Sequence, residues 1–328
     1  MSRALLAIVA MAAVVAAACS NGDDASTSRV SGGDVPMLGG NAAHTGVNPG
    51  PGVERWPEVL WRFRTGDEIR SSPAVVDGTV YVGSWDGYVY ALDAATGQER
   101  WRFQTGDVVL SSPAVVNGKV YVGSFDGNLH ALDAASGEER WRFKTGRSVE
   151  SSPCVADGSV FFTGNDGNTY ALDAATGQER WRFKLGTDVI STTSPAVADG
   201  VVYTGGDDYF YALDAATGKE RWRSDTWGVS FSASVAGGMV YIGGQALDAA
   251  TGEELWQGRA GGPDSSPAVV DGVLFTGSIH GLKQGRTNLS DDLLDSGFKN
   301  DLLFPSHVPL GFFLDMVNLG RPCLISKA

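Results

Sequence analysis

Between Trp61 and Gly281 the chain runs in short apolar or alternating stretches, each about one strand long and each closed by a turn dipeptide. Residues 71 to 110 show the pattern most clearly, as SSPAVVDG, TVYVGSWDG, YVYALDAATG and QERWRFQTG. Asp-Gly and Thr-Gly closures favour the positive φ of tight hairpins. In the last run, strand alternation puts Trp101 and Phe103 on one face and Arg100 and Arg102 on the other, which reads as the solvent side. The prediction is a four-stranded antiparallel unit.

That unit returns. ALDAATGQERW (91–101) recurs as ALDAASGEERW (131–141), ALDAATGQERW (171–181), ALDAATGKERW (212–222) and ALDAATGEELW (246–256). The closing tryptophans Trp101, Trp141, Trp181, Trp222 and Trp256, with Trp61 before them, are spaced 40, 40, 40, 41 and 34 residues apart. A period near 40 is one propeller blade. Units start near Ser71, Ser111, Ser151, Ser194, Ser232 and Ser265, so the expected fold is an all-β propeller of four-stranded blades with about six recognisable repeats, the set incomplete. Within the frame, Asp93 is placed to accept hydrogen bonds from the following amides, and Gly97 to take a left-handed conformation. Ala91 stays small so that a Trp of the same or a neighbouring unit can lie against it, and one Trp per unit then staples neighbouring units together.

The frame Ala-x-Asp-x-x-Thr/Ser-Gly-x-x-x-Trp resembles the tryptophan-docking motif of PQQ-binding-like, quinoprotein-type propeller repeats, over residues 61–281. The resemblance implies the fold, and it raises a quinone-dependent dehydrogenase or small-ligand-binding protein as one functional reading. Enzymes of that class need calcium ligands, a catalytic carboxylate and commonly adjacent cysteines, and this chain has no Cys-Cys pair. Its recurrent acidic residues, Asp93, Asp133, Asp173, Asp214 and Asp248, occupy the repeated turn, where capping accounts for them. The expectation is therefore of no cofactor, no metal and no catalytic residue. The second reading is a non-enzymatic scaffold similar in layout to the envelope-assembly lipoproteins of this propeller class.

Outside the repeats the pattern changes. Residues 1–18 carry Arg3 and then the apolar run ALLAIVAMAAVVAAA, which reads as a secretory signal peptide. The following Cys19 suits a lipoprotein box, with plain cleavage near the alanines as the alternative. Residues 19–35 are polar and Gly/Ser/Asp-rich, a flexible tether. Residues 36–60 form a lead-in segment containing His44, which reads as a packing or capping residue. Trp61 belongs to an orphan strand, LWRFRTG, expected to supply the missing outer strand of the last unit and so to close the ring. The last unit shows no third or fourth strand. From residue 282 the composition breaks: the 47-residue tail to 328 holds 10 Leu, as many as the 221 residues from Trp61 to Gly281. It is a divergent tail.

A formal charge of −13 argues against nucleic acid as partner and against electrostatic attraction to anionic lipid. Membrane attachment would rest on the lipid anchor. Cys154 fills the slot of Ala74 and Ala114, so it is a core thiol. The histidines have no ligand spacing, and His130 fills the slot of Tyr90, Tyr170 and Tyr211.

Positions that vary between blades are candidates for recognition, since repeated residues build the scaffold. They lie in the loops between strands two and three and in the loops entering each strand one. Trp85, Phe125, Trp227 and Ile279 are the candidate partner face, and inward packing of Trp85 and Phe125 is the competing reading. The expected setting is extracytoplasmic and membrane-anchored, with a protein or another cell-envelope component as partner.

Overall fold

The repeats fold as the alternation predicts. The computed structural model describes residues 34–46, 59–186, 193–206, 209–225, 232–242, 244–257, 266–270, 273–276, 283–286 and 325–326. Blade one consists of Ala74–Val76, Thr79–Gly83, Tyr88–Asp93 and Glu99–Gln104, paired antiparallel in that order. Four further four-stranded sheets repeat this up-and-down order, which makes the chain an all-β propeller of four-stranded blades.

In blades one to five the strand-one to strand-two connection is a two-residue turn with both residues at positive φ. Asp77–Gly78 has φ of 47° and 67°, and Asn117–Gly118 has 51° and 69°. This is the primed geometry that matches strand twist. In blade five, Gly237 and Gly238 take the same place, and strands two and three shorten to Met239–Ile242 and Gln245–Asp248.

Inner strands are buried almost throughout, whereas the outermost strand is half solvated: in Glu99–Gln104 only Trp101 is buried and Phe103 is half-buried. In each of the five four-stranded blades the alternation slips once. Ala91 faces Trp101, but Leu92 faces Glu99, so Arg100 is the extra residue of a β-bulge. The bulge turns its guanidinium back to Asp93, 2.7 Å away.

The sixth sheet differs from the expectation. It has a third strand, Lys283–Arg286, beside Ala268–Val270 and Val273–Thr276, so blade six extends past residue 281 into the segment read as tail. The orphan strand Val59–Trp61 does not complete it. That strand pairs instead with Ile325–Ser326, Val59 opposite Ser326 and Trp61 opposite Ile325.

The lead-in begins earlier than residue 36, because Val35 already exchanges backbone hydrogen bonds with Val75 at 2.7 and 2.8 Å. From there to Gly46 it touches the innermost strand of every blade in order. Val115 N–H donates to the Pro36 carbonyl, Val197 N–H to Ala42, Val235 N–H to Ala43 and Val269 N–H to Thr45, at 2.6, 2.6, 2.9 and 2.7 Å. Blade three contributes the Cys154 thiol, 3.4 Å from the Ala42 carbonyl. Residues 34–46 form an axial strap.

Candidate functional site

Two ends of the same strands make two different faces. On the turn face, each Asp-Ala-Ala-Thr-Gly segment is a closed polar unit. Asp93 Oδ1 accepts from the amides of Ala95 and Thr96 and from the Thr96 hydroxyl at 3.1, 2.9 and 2.9 Å. Arg100 first, and then Thr96, hold the Asp93 carboxyl down at about 2. Asp133, Asp173 and Asp214 are likewise held at about 2, each by its arginine first.

The tryptophans sit on these turns across the blade boundary. Trp101 Nε1 donates to the Ala134 carbonyl at 2.9 Å, Trp181 to Ala215 at 2.9 Å and Trp222 to Ala249 at 3.0 Å. Trp61 does the same to Ala94 at 3.0 Å. Each indole lies where a side chain on the turn glycine would be: a Cβ on Gly137 would come 2.7 Å from Trp101, and one on Gly177 2.6 Å from Trp141. Trp141 makes the same approach, but its buried Nε1 has no hydrogen-bond partner. Trp256 is half-buried against Tyr241, and the turn it would meet lies outside the described residues. So Ala91, opposite Trp101 in register, stays small beside its own blade's indole, while the turn glycine receives the previous blade's.

The loop face carries the varied residues. Trp85 and Phe125 are half-buried, and their amides donate to the Glu68 and Val108 carbonyls of the preceding inter-blade loops, both at 2.9 Å. Arg70 lies 4.1 Å over the Trp85 ring, a cation–π contact at the protein surface. Asn165, in the equivalent place in blade three, is buried and bonds Ser148 at 2.8 Å and also Glu150. Trp227, Ile279 and Cys19 lie outside the described residues.

Sequence reasoning treated the Asp of these Asp-Gly loops only as a hairpin residue, and the structure gives it a second task. Asp86, Asp126 and Asp166 each accept the backbone amide of the preceding outer strand's end, at Gly66, Gly106 and Gly146, at 2.7, 2.9 and 2.8 Å. Tyr90 and Tyr170 donate to the same carboxylates at 2.7 and 2.6 Å. In blade two His130 replaces the tyrosine, with Nε2 3.0 Å from Asp126 and Nδ1 2.8 Å from Glu139. Burial alone would raise the Asp126 pKa; the hydrogen bonds from His130 and Gly106 outweigh it and hold the carboxyl well below the usual range. A recurring Thr-Gly, at 65–66, 105–106 and 145–146, with its glycine five residues before a Ser-Ser pair and twenty residues ahead of the carboxylate, is the signal that could have revealed this lock.

Near the axis, paired serines link the blades. Ser72, Ser112, Ser152, Ser194 and Ser232 each donate their amide to the hydroxyl of the corresponding serine in the next blade, ending at Ser266, over 2.8–3.2 Å. His44, on the strap, is 3 % exposed, and both its ring nitrogens are buried without a partner. Burial lowers its pKa to about 4, the backbone of Ala233 pulling weakly the other way. It packs as a neutral ring. Among the described residues no group of three or more His, Cys, Asp or Glu is placed to hold a metal ion. Cys154 is fully buried against the strap, and burial pushes its thiol pKa up.

Stacked four-stranded sheets, joined by an indole docked on each neighbouring turn, define a tryptophan-docked β-propeller of the PQQ-like repeat type. The family model described as outer membrane protein assembly factor BamB matches residues 21–107, 57–145, 85–207 and 165–281, and the chain belongs to that family. No match was found among curated proteins. Of solved structures, BamB from Moraxella catarrhalis is similar with a TM-score of 0.60 and 22% identity, covering 70% of this chain and 80% of that one. A quinohemoprotein alcohol dehydrogenase from Comamonas testosteroni has a TM-score of 0.60 and 21% identity, over 74% of this chain but 57% of the enzyme. A europium-containing methanol dehydrogenase follows with a TM-score of 0.56 and 20% identity, over 69% and 58%. At these identities the likenesses establish the fold.

Proposed function

We propose that this propeller is a non-enzymatic scaffold of the bacterial cell envelope, anchored through an acylated Cys19 outside the cytoplasm, that presents its loop face to a protein partner. The observation that carries the reading is the contrast between the two faces. On one face each described turn between strands three and four receives a neighbouring indole against its glycine, whereas the loop face offers half-buried, partly exposed Trp85 and Phe125 with Arg70 stacked on the Trp85 ring. Aromatic and arginine side chains of this kind dominate protein interfaces. Membership of a family described by an envelope assembly factor agrees with such a role.

The test compares capture of partners from native envelopes by the parent protein and by the double variant Trp85→Ser with Phe125→Ser. The variant is expected to keep the parent's circular dichroism and lose the partners, with Lys219→Glu on the turn face as a silent control. A folded double variant that captures the same partners would remove the loop face from the proposal. Cys19→Ser should release the protein from membranes, because acyl chains supply about 0.8 kcal/mol per buried CH₂ and the acidic body adds no attraction.

The fold shared with quinoprotein dehydrogenases favours a second reading, as a quinone-dependent enzyme. The described residues do not fit that cofactor: Cys154 is the one described cysteine and faces the strap, and the recurrent aspartates are committed to turns and blade contacts. Uptake of the quinone with calcium, and dye-linked alcohol oxidation, would establish it.

A further inference from the structure

The strap is held in a way that a simple connecting segment would not be. Its carbonyls at Val35, Pro36, Ala42, Ala43 and Thr45 receive inner-strand amides from five blades, and Ala42 also meets the Cys154 thiol of the remaining one. Blade five adds the Ser234 hydroxyl, donating to His44 where other blades carry Ala or Cys. An inner strand has a neighbour on one side only, so its axial amides are buried donors that need acceptors. The strap supplies them.

The strap is also pre-shaped. Gly40 N–H bonds to Met37, His44 N–H to Asn41 and Gly46 N–H to Gly39, at 2.9, 3.0 and 2.9 Å, folding it into successive tight turns. Asn41 Nδ2 donates to Thr45 Oγ1 at 2.6 Å across one of them. A Cβ on Gly46 would come 2.4 Å from the Ala268 Cβ of blade six, so the fit is close and residue-specific. Met37 and His44 are buried.

We infer that the inner wall of the propeller is a peptide-binding site, recognising a compact, turn-forming, small-residue segment through its backbone carbonyls, and that residues 34–46 are its resident ligand. The segment is retained by those contacts and does not depend on its covalent link to Val59. The site is distinct from the loop face, since the strap's Asp34 sits by Asp77 of the strand-one hairpin, at the turn-face end of the blade. It would join the body to whatever the N-terminus is attached to.

The experiment uses the full chain with Cys19→Ser and Cys323→Ser, so that Cys154 is its one thiol, and with a site-specific protease sequence placed between residues 46 and 59. After cleavage the N-terminal fragment should co-elute with the body, the strand signal should persist and Cys154 should stay closed to a thiol reagent. In the uncut chain, Gly46→Val should speed labelling of Cys154 about tenfold or more, as overpacking shifts the local opening equilibrium. Gly118→Ala, strained at its positive φ but with nothing within 4 Å of where its Cβ would go, should leave the labelling rate unchanged. Departure of the fragment with Cys154 still closed would overturn the inference. So would loss of the strand signal on cleavage, or labelling of the Gly46→Val chain at the parent rate.

Discussion

The turn face and the loop face are opposite ends of the same strands, yet the first is nearly identical from blade to blade and the second changes at every blade. On the turn face one constellation, Asp, Thr and Gly with a bulged Arg, serves both its own hairpin and the indole arriving from the next-door blade. A substitution there is felt twice. The loop face divides its work, with Asp86, Asp126 and Asp166 locking blades while Trp85, Phe125 and Asn165, one residue earlier, are free to differ. Repetition therefore marks the residues that answer to two blades, and variation marks those that answer to one.

The largest expected effect breaks the turn face. Trp181→Ala removes a buried indole and its bond to Ala215 and should cost about 3–5 kcal/mol, whereas exposed Arg142→Ala should cost under about 0.5 kcal/mol; urea titration of both compares them directly. Two glycines sharpen the point. Gly137 and Gly118 have φ of 76° and 69°, but only the first has an indole where its Cβ would go. Gly118→Ala should cost about 1–2 kcal/mol of backbone strain alone, and Gly137→Ala clearly more, measured in the same titration.

Acid should reach the turn face next. The carboxyls of Asp93, Asp133, Asp173 and Asp214 titrate lower in the folded chain, at about 2, than in the unfolded one. The stability they confer is thus fully present above the unfolded value of about 3.9 and is lost as pH falls toward 2. Arg140→Gln should move the acid-unfolding midpoint to higher pH, and an unchanged midpoint would show that the pair contributes nothing. The smallest effect repairs blade five, where Leu255 stands at the bulge in place of arginine and is 40% exposed. Leu255→Arg should restore the partner of Asp248 and stabilise by at most about 1 kcal/mol, as a surface ion pair does.

Blades one to five were legible in the sequence because their determinants are local. Alternation sets the strand faces, Asp-Gly and Thr-Gly set the turns, and the Trp at the end of each frame sets the period. What was not legible is main-chain business. The strap at 34–46 has no periodicity, and its contacts are carbonyls meeting amides, which leave no mark on side-chain choice beyond Gly39, Asn41 and Gly46. For the same reason Asp34 and Val35 look like the end of the polar tether in sequence, since nothing in them announces a pairing with blade one. The third strand of blade six, Lys283–Arg286, lacks the Ala-x-Asp frame and so could not be seen by its repeat. Trp61 was recognisable as an outer-strand tryptophan, but a docking residue does not say which strand lies beside it, and its strand pairs with Ile325–Ser326.

The strap also imposes an order on the birth of the molecule. Its residues leave the ribosome before any blade does, yet their acceptor groups are claimed by blades one through six, the last at Val269. Until that late segment has been synthesised, the earliest part of the chain has only part of its final neighbourhood, while each completed blade can already gather against the one before it. Local hairpins closing first and the longest-range contacts last is the sequence that loop-closure entropy favours. The segment made first is the one that settles last, and its settling is the event that registers the whole array as finished.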